Sequence, residues 1–407
     1  MTLRALIANE AGDGRGHVTK LDRIGRLLAA EGVQVGAALA RMTHAAELAS
    51  AAGRVIAAPP LRWNPAHRSD PDAEGNATFG DYLAAMGLAR GDVLRRGLAF
   101  WRQAIVRSDA SILVADYAPL AQRAALGLRD EGWDIAIVVT GTGYGVPPGQ
   151  LPVFPRLLPD WGRSVRDEAE TLATLNRVAA EGGLDPLPAL PALYACDLAM
   201  PATFAFLDPY DGMRPDGARL FPPVPDLPPL SDGTGDEVFV YLSTDELADD
   251  RLFQALRDLG LPRRGYLPGT PPDRLAELAA SGMIVEAAPL PWAAISARSR
   301  LILHAAQHGS ICHAAMAGVP QVGLPQHMEQ VFHGFRAAWA GILRKTGQRR
   351  GAGPLADEIR SAYADAAFGQ GARDFAHHLR ASHPPEAAHA QRDALAALVA
   401  EVRARGE

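Results

Sequence analysis

The chain is poor in cysteine, with Cys196 and Cys312 alone in 407 residues. They lie far apart and form no Cys-x-x-Cys pair. That argues against a disulfide framework and fits a reducing cytoplasm. No apolar run approaches the roughly 20 residues of a membrane span. Strand-like sequence begins at Leu3, which leaves no room for a signal peptide before it. A basic excess is also missing. The formal net charge is −6, the wrong sign for a nucleic-acid binder. There is no His-Glu-x-x-His motif and no repeat of solenoid period. What is present is ordinary for a globular protein: 48% hydrophobic and 21% charged residues. The length exceeds one ordinary core, so two domains are expected.

Leu3–Ala8 is a short apolar run of the kind that forms a central parallel strand. A Gly-rich turn, Gly12-Asp13-Gly14-Arg15-Gly16-His17, follows. Next come a helix over Val18–Glu31, with Leu21, Ile24, Leu27 and Leu28 on one face, and a second strand within Gly32–Ala40. This β–turn–α–β unit favours a doubly wound sheet. Further strands are expected at Val55–Ala57, Ser111–Ala115 and Ile135–Val139, with helices over Asp92–Val106 and Leu120–Leu128. Gly141–Pro159 reads as a long functional loop. The Pro-dense stretch 216–229 reads as a linker between a first domain, 1–215, and a second, 230–385. In the second domain, strands are expected at Glu237–Ser243, Gly282–Ala288 and Ser299–Ala305, a strand and turn over Arg263–Gly269, and helices at Asp245–Leu259 and Pro272–Ala280. A last helix is expected over Glu386–Arg405, within a C-terminal segment 386–407.

Leu301–Gln330 holds a strand, a turn of small residues, a helix, a Gly-Val-Pro break, a second strand at Gln321–Leu324, and a Pro-started loop ending in Glu329 and Gln330. Small residues let a backbone approach a ligand, and a helix N-terminus offers amides to an anion. With the Gly309-Ser310, Val319-Pro320 and Glu329-Gln330 elements in this order, the segment resembles the donor-sugar signature of nucleotide-sugar-dependent glycosyltransferases. The likeness is to UDP-glycosyltransferase-like enzymes of the bacterial natural-product or glycolipid type. That resemblance implies the GT-B fold: α/β, with two doubly wound Rossmann-like domains facing across a cleft and a C-terminal helix returning to the first domain. It implies metal-independent, inverting transfer from a UDP- or dTDP-sugar to a small-molecule hydroxyl, and it allows a homodimer.

The family's roles carry over position by position. Gly309 and Ser310 match the diphosphate turn. Ser243 and Thr244 match a hydroxyl turn beside the diphosphate, or else cap the helix that follows. Glu329 and Gln330 match the pair that holds the sugar. The family's His falls on Ala305, with His304 adjacent. Its second Gly falls on Gln307, with His308 next to it. Its ribose Glu falls on His313, and a neutral imidazole accepts one hydrogen bond where a carboxylate accepts two. In the N-terminal turn His17 matches the general base, with Asp13 the other candidate. Asp116, just past a strand, matches the Asp that orients the base. His17 could instead pack under the loop, and Asp116 could cap the next helix.

The loops Leu61–Leu83 and Tyr144–Trp161 carry Trp63, Tyr82, Tyr144 and Phe154, which suit a planar or lipophilic acceptor or else anchor the loops. Arg95, Arg96, Arg102 and Arg107, near Trp101, read as a solvated helix face. The histidines crowded between His304 and His333 lack the spacing of a metal site. Two alternatives share the fold. A non-catalytic binding relative is favoured by Ala305, Gln307 and His313. A nucleotide-sugar 2-epimerase would need further carboxylates.

Overall fold

The computed structural model describes residues 2–12, 14–51, 54–61, 77–157, 167–224, 226–243, 246–346, 355–383 and 389–405. The candidate residues Asp13, Trp63 and Thr244 therefore lie outside the described residues. The chain forms two compact units, Met1–Phe221 with His389–Glu407, and Pro222–Ala388.

The first unit runs β1 (Arg4–Asn9), α1 (Arg15–Ala30), β2 (Gln34–Leu39), β3 (Val55–Ala57), α2 (Phe79–Leu83), α3 (Gly91–Ser108), β4 (Ile112–Asp116), α4 (Pro119–Asp130), β5 (Ala136–Gly141), α5 (Glu168–Glu181) and β6 (Leu198–Pro201). Its six strands lie in the order β3-β2-β1-β4-β5-β6, and every pairing among them is parallel. A parallel sheet covered on both faces needs strands apolar throughout, and β4 and β5 are buried at every position. On one face Ile7, Val114 and Val138 pack against Val18, Leu21, Ile24 and Leu28 of α1.

The second unit runs β7 (Glu237–Tyr241), α6 (Asp250–Arg257), β8 (Arg263–Tyr266), α7 (Pro272–Ala280), β9 (Ile284–Val285), α8 (Trp292–Arg298), β10 (Ser299–His304), α9 (His308–Ala317), β11 (Gln321–Gly323), α10 (Met328–Trp339), β12 (Leu343–Lys345), α11 (Leu355–Ala364) and α12 (Ala366–Ala381). Its order is β12-β11-β10-β7-β8-β9, again parallel throughout. Val240, Leu301, Leu303 and Val322 form its core with Leu252, Leu256 and Ile359. The chain then returns to the first unit. Helix α13 (Ala390–Arg405) adds Leu395, Leu398, Val399 and Val402 to the core beneath α1. No helix among the described residues is long and apolar enough to cross a membrane.

Two expected elements differ. The helix expected over Asp245–Leu259 begins only at Asp250, because the Asp249 carboxylate accepts the Arg251 N–H at 2.8 Å and caps it there. Glu329 and Gln330 are not in a loop. They sit in the first turn of α10.

Candidate functional site

In an open parallel sheet, ligands bind where the strand order reverses, because neighbouring connections leave there on opposite sides and open a crevice at the carboxyl ends. In the first unit that point lies between β1 and β4, whose last residues, Asn9 and Asp116, are register partners. Helix α1 starts there after Gly14, which carries no side-chain cap. His17, in its first turn, puts Nδ1 2.6 Å from Asp116 Oδ2. Lys20, one turn on, puts Nζ 2.7 Å from Oδ1. Asn9 Nδ2 donates to the Asp116 carbonyl at 3.1 Å and its Oδ1 accepts the Gly12 N–H at 3.3 Å, which pins the turn.

Asp116 is fully buried. Burial alone would raise its pKa, but Lys20 and His17 outweigh it and hold the carboxyl down at about 2. An ionised carboxylate only accepts, so His17 Nδ1 must carry a proton, and in the neutral ring Nε2 is left as the basic nitrogen.

Capping is not Asp116's task. The N-cap of α4 is Ala118, and its orphan amides are met by Glu10, whose two carboxylate oxygens accept the Leu120 and Ala121 N–H groups at 3.0 Å each. Burial pushes Glu10 up to about 8 against those two bonds. Nothing local in sequence signals this contact, since Glu10 and Leu120 are 110 residues apart.

The aromatic candidates also sort differently from expectation. Phe79 packs edge-on to Tyr144, Phe154 and Tyr194 at ring distances of 5.1, 5.5 and 5.6 Å. Tyr144 and Phe154 are 0% and 2% exposed and pack at the base of the loop, as in the anchoring alternative. Tyr82 is partly exposed and lies 6.1 Å from Tyr117, whose ring stands edge-on to His17 at 5.6 Å. The ring beside His17 is therefore that of Tyr117, which was not among the candidates, and Tyr82 lies next to it. It sits at φ +47 in the left-handed region, immediately after Asp116. On α3, Trp101 is core, and Arg95 and Arg102 pair on the surface with Glu181 and Glu131.

In the second unit the order reverses between β7 and β10. Ser243 follows β7 and Gln307 follows β10. Gln307 Nε2 donates to Ser243 Oγ at 3.4 Å, across that point. The turn between His304 and Gln307 passes through Ala306 at φ +55. Helix α9 then starts with no side-chain cap, and its first hydrogen bond runs from the Ile311 N–H to the Gln307 carbonyl at 3.0 Å. The amides of His308, Gly309 and Ser310 precede that bond, which leaves them without helical acceptors. Gly309 is exposed, with open space around it.

One turn further, the His313 ring stacks on Trp292 at 4.7 Å and 6°. Its Nδ1 donates to the Gly309 carbonyl at 2.8 Å. Burial pushes its pKa down despite that bond, so the ring is neutral with Nε2 as a single acceptor. Beyond β11, Gln330 Oε1 accepts the Gln326 N–H at 2.8 Å, while Glu329 is half-buried in the same first turn of α10.

Two histidines of the donor set are engaged within the protein. His304 is fully buried, accepts the Ala306 N–H on Nδ1 at 2.9 Å and donates Nε2–H to Gln321 Oε1 at 2.9 Å. Both nitrogens are used, and burial pushes its pKa down to about 4. His308 is buried against His333, with ring centroids 4.7 Å apart, and beside Cys312 Sγ. Among the described residues, no three His, Cys, Asp or Glu side chains come together as a metal-ligating group.

No protein-family model and no curated protein matches the sequence. Solved structures do. The spinosyn rhamnosyltransferase SpnG superposes with a TM-score of 0.64 at 18% identity, over 98% of this chain and 99% of that one. The glycosyltransferase SnogD from Streptomyces nogalater gives 0.61 at 19%, over 99% and 100%. The calicheamicin glycosyltransferase CalG4 gives 0.64 at 17%, over 97% and 98%. The fold is GT-B. At such identities the likeness is one of architecture. Each GT-B unit of this chain carries its polar constellation at its own reversal point.

Proposed function

We propose that the chain is an inverting glycosyltransferase that moves a sugar from a dTDP- or UDP-linked donor to a hydroxyl of a small-molecule acceptor. The observation that carries this reading is the His17–Asp116 contact of 2.6 Å at the reversal point of the first sheet. His17 Nε2 takes the acceptor's hydroxyl proton as that oxygen bonds to the anomeric carbon. The bond from this carbon to the terminal phosphate oxygen breaks, and the nucleoside diphosphate leaves with the electron pair. Asp116 fixes the imidazole tautomer and balances the imidazolium. The amides of Gly309 and Ser310 and the Ser243 hydroxyl receive the leaving diphosphate, where charge develops. His313 Nε2 accepts from a ribose hydroxyl, and Glu329 and Gln330 hold the sugar. A thymidine nucleotide is put first because SpnG and SsfS6 have been solved with thymidine diphosphate. SpnG has also been solved with the spinosyn aglycone, which supports a small lipophilic acceptor.

A second reading, a GT-B protein that binds without catalysis, is favoured by one observation. The Gln307 amide lies against Ser243, across the phosphate turn.

Thermal unfolding with UDP, dTDP, GDP and ADP separates the two. A ligand that binds only the native state raises the midpoint by mass action. Under the enzyme reading one nucleotide raises it, Ser310→Trp abolishes the rise, and His17→Ala keeps the rise while lowering transfer by about 10²- to 10⁴-fold. No rise with any nucleotide at millimolar concentration would discard the enzyme reading.

A further inference from the structure

We propose that Lys20 is the standing counter-cation of Asp116 and thereby keeps the His17 ring neutral, with Nε2 able to accept from a hydroxyl. The role given to that hydroxyl rests on the sugar-transfer reading, while the charge pairing stands on geometry alone.

Asp116 is the fully buried member of a three-group cluster. Its two oxygens are divided between two residues of one helix face: Oδ2 to His17 at 2.6 Å and Oδ1 to Lys20 at 2.7 Å. Positions three apart on a helix face the same way, so a single element delivers both. A buried carboxylate with only an imidazole beside it would draw a second proton onto that ring, because an ion pair is the cheapest way to hold the charge. An imidazolium cannot serve as a base. With Lys20 in place the carboxylate already has its cation, and the ring needs only to donate its Nδ1–H. The cost falls on the later step, since the imidazolium formed on proton transfer shares Asp116 with Lys20. Lys20 thus trades part of that stabilisation for a base that is free at rest. It is a positioning residue, acting through Asp116.

The surroundings hold no other described candidate for this task. From β1 comes the neutral Asn9 amide. Glu10, beside it, turns to the α4 amides. After β4 comes the Tyr117 ring, edge-on to His17. Arg15, on α1, reaches Glu47 at 2.7 Å.

The test is a histidine-ring NMR titration of the full chain, with His17 assigned by the signal missing in His17→Gln. Lys20→Met and Lys20→Gln remove the charge, the second keeping a polar group should the first fail to fold, and Lys20→Arg keeps it. The expected result is a His17 midpoint raised by about one pH unit or more in the uncharged variants and near wild type in Lys20→Arg. The acid limb of the transfer rate should move with it, so that the uncharged variants lose activity chiefly on the acid side. An unmoved midpoint in the uncharged variants overturns the proposal. So does an equal movement in Lys20→Arg, which would mean packing rather than charge. A raised midpoint in a protein that transfers no sugar from any donor would leave the charge pairing standing and remove the glycosyltransferase reading instead.

Discussion

A methyl group at position 12 would fall 2.6 Å from Asn9 Nδ2 and 2.7 Å from the His17 ring. Glycine is needed there so that the turn can close over His17. Gly12→Ala should destabilise the first unit by about 1–3 kcal/mol through overpacking. It should lower transfer at least about tenfold, since small displacements of a reacting group are costly. The nucleotide-induced rise in midpoint proposed for the other unit should be unchanged. Denaturant unfolding and a nucleotide titration check the two halves of this expectation. Glu10 makes a separate one. Folded, it keeps its proton up to about pH 8, and unfolded only up to an ordinary 4.5. Between these values folding takes up a proton, so its contribution is full below about 4.5 and fades as pH rises towards 8. Melting temperature measured across that window should fall less in Glu10→Gln than in the wild type.

Elements differed in how plainly their sequences declared them. The strands around both reversal points were legible because sheets covered on two faces demand unbroken apolar runs, as in Leu301-Ile302-Leu303 and Ile112-Leu113-Val114. The helix α2 was missed, although Thr78 and Asp81 form a capping box. The Thr78 hydroxyl accepts the Asp81 N–H at 3.0 Å, and the Asp81 carboxylate accepts the Thr78 N–H at 3.2 Å. Five residues carry too little periodicity to be read without that cap. Thr78→Ala should cost about 1 kcal/mol and loosen Phe79 and Tyr82, which α2 supports. Near-UV circular dichroism, which reports packed rings, would register the change. In the candidate site, the resemblance to the family's Gly-rich turn brought out His17, and its likeness to the family's strand-end Asp brought out Asp116. The engagement of His304 was hidden because its partner, Gln321, comes from the next strand. Lys20 left a faint signal, a cation three residues after a candidate base.

At the scale of the whole molecule, the first unit is assembled from two separated stretches of chain. Leu395, Val399 and Val402 of α13 are buried in the same core as Ile7 and Leu21. Removing residues 389–407 would strip those contacts. Each large buried side chain lost is worth about 2–5 kcal/mol, so the loss approaches the whole stability of an ordinary domain. Calorimetry of the truncated chain should show the first unit's transition abolished and the second unit's retained and still raised by nucleotide.

The same connectivity governs the order of events on the ribosome. Residues 222–388 are an insertion within the chain of the first unit, and a nascent polypeptide emerges in one direction. The second unit therefore has all its strands in hand before α13 has been made. Until that helix emerges, the core that Ile7 and Leu21 share with Leu395, Val399 and Val402 is incomplete and open to chaperones. The half that holds the proposed base is begun first and finished last.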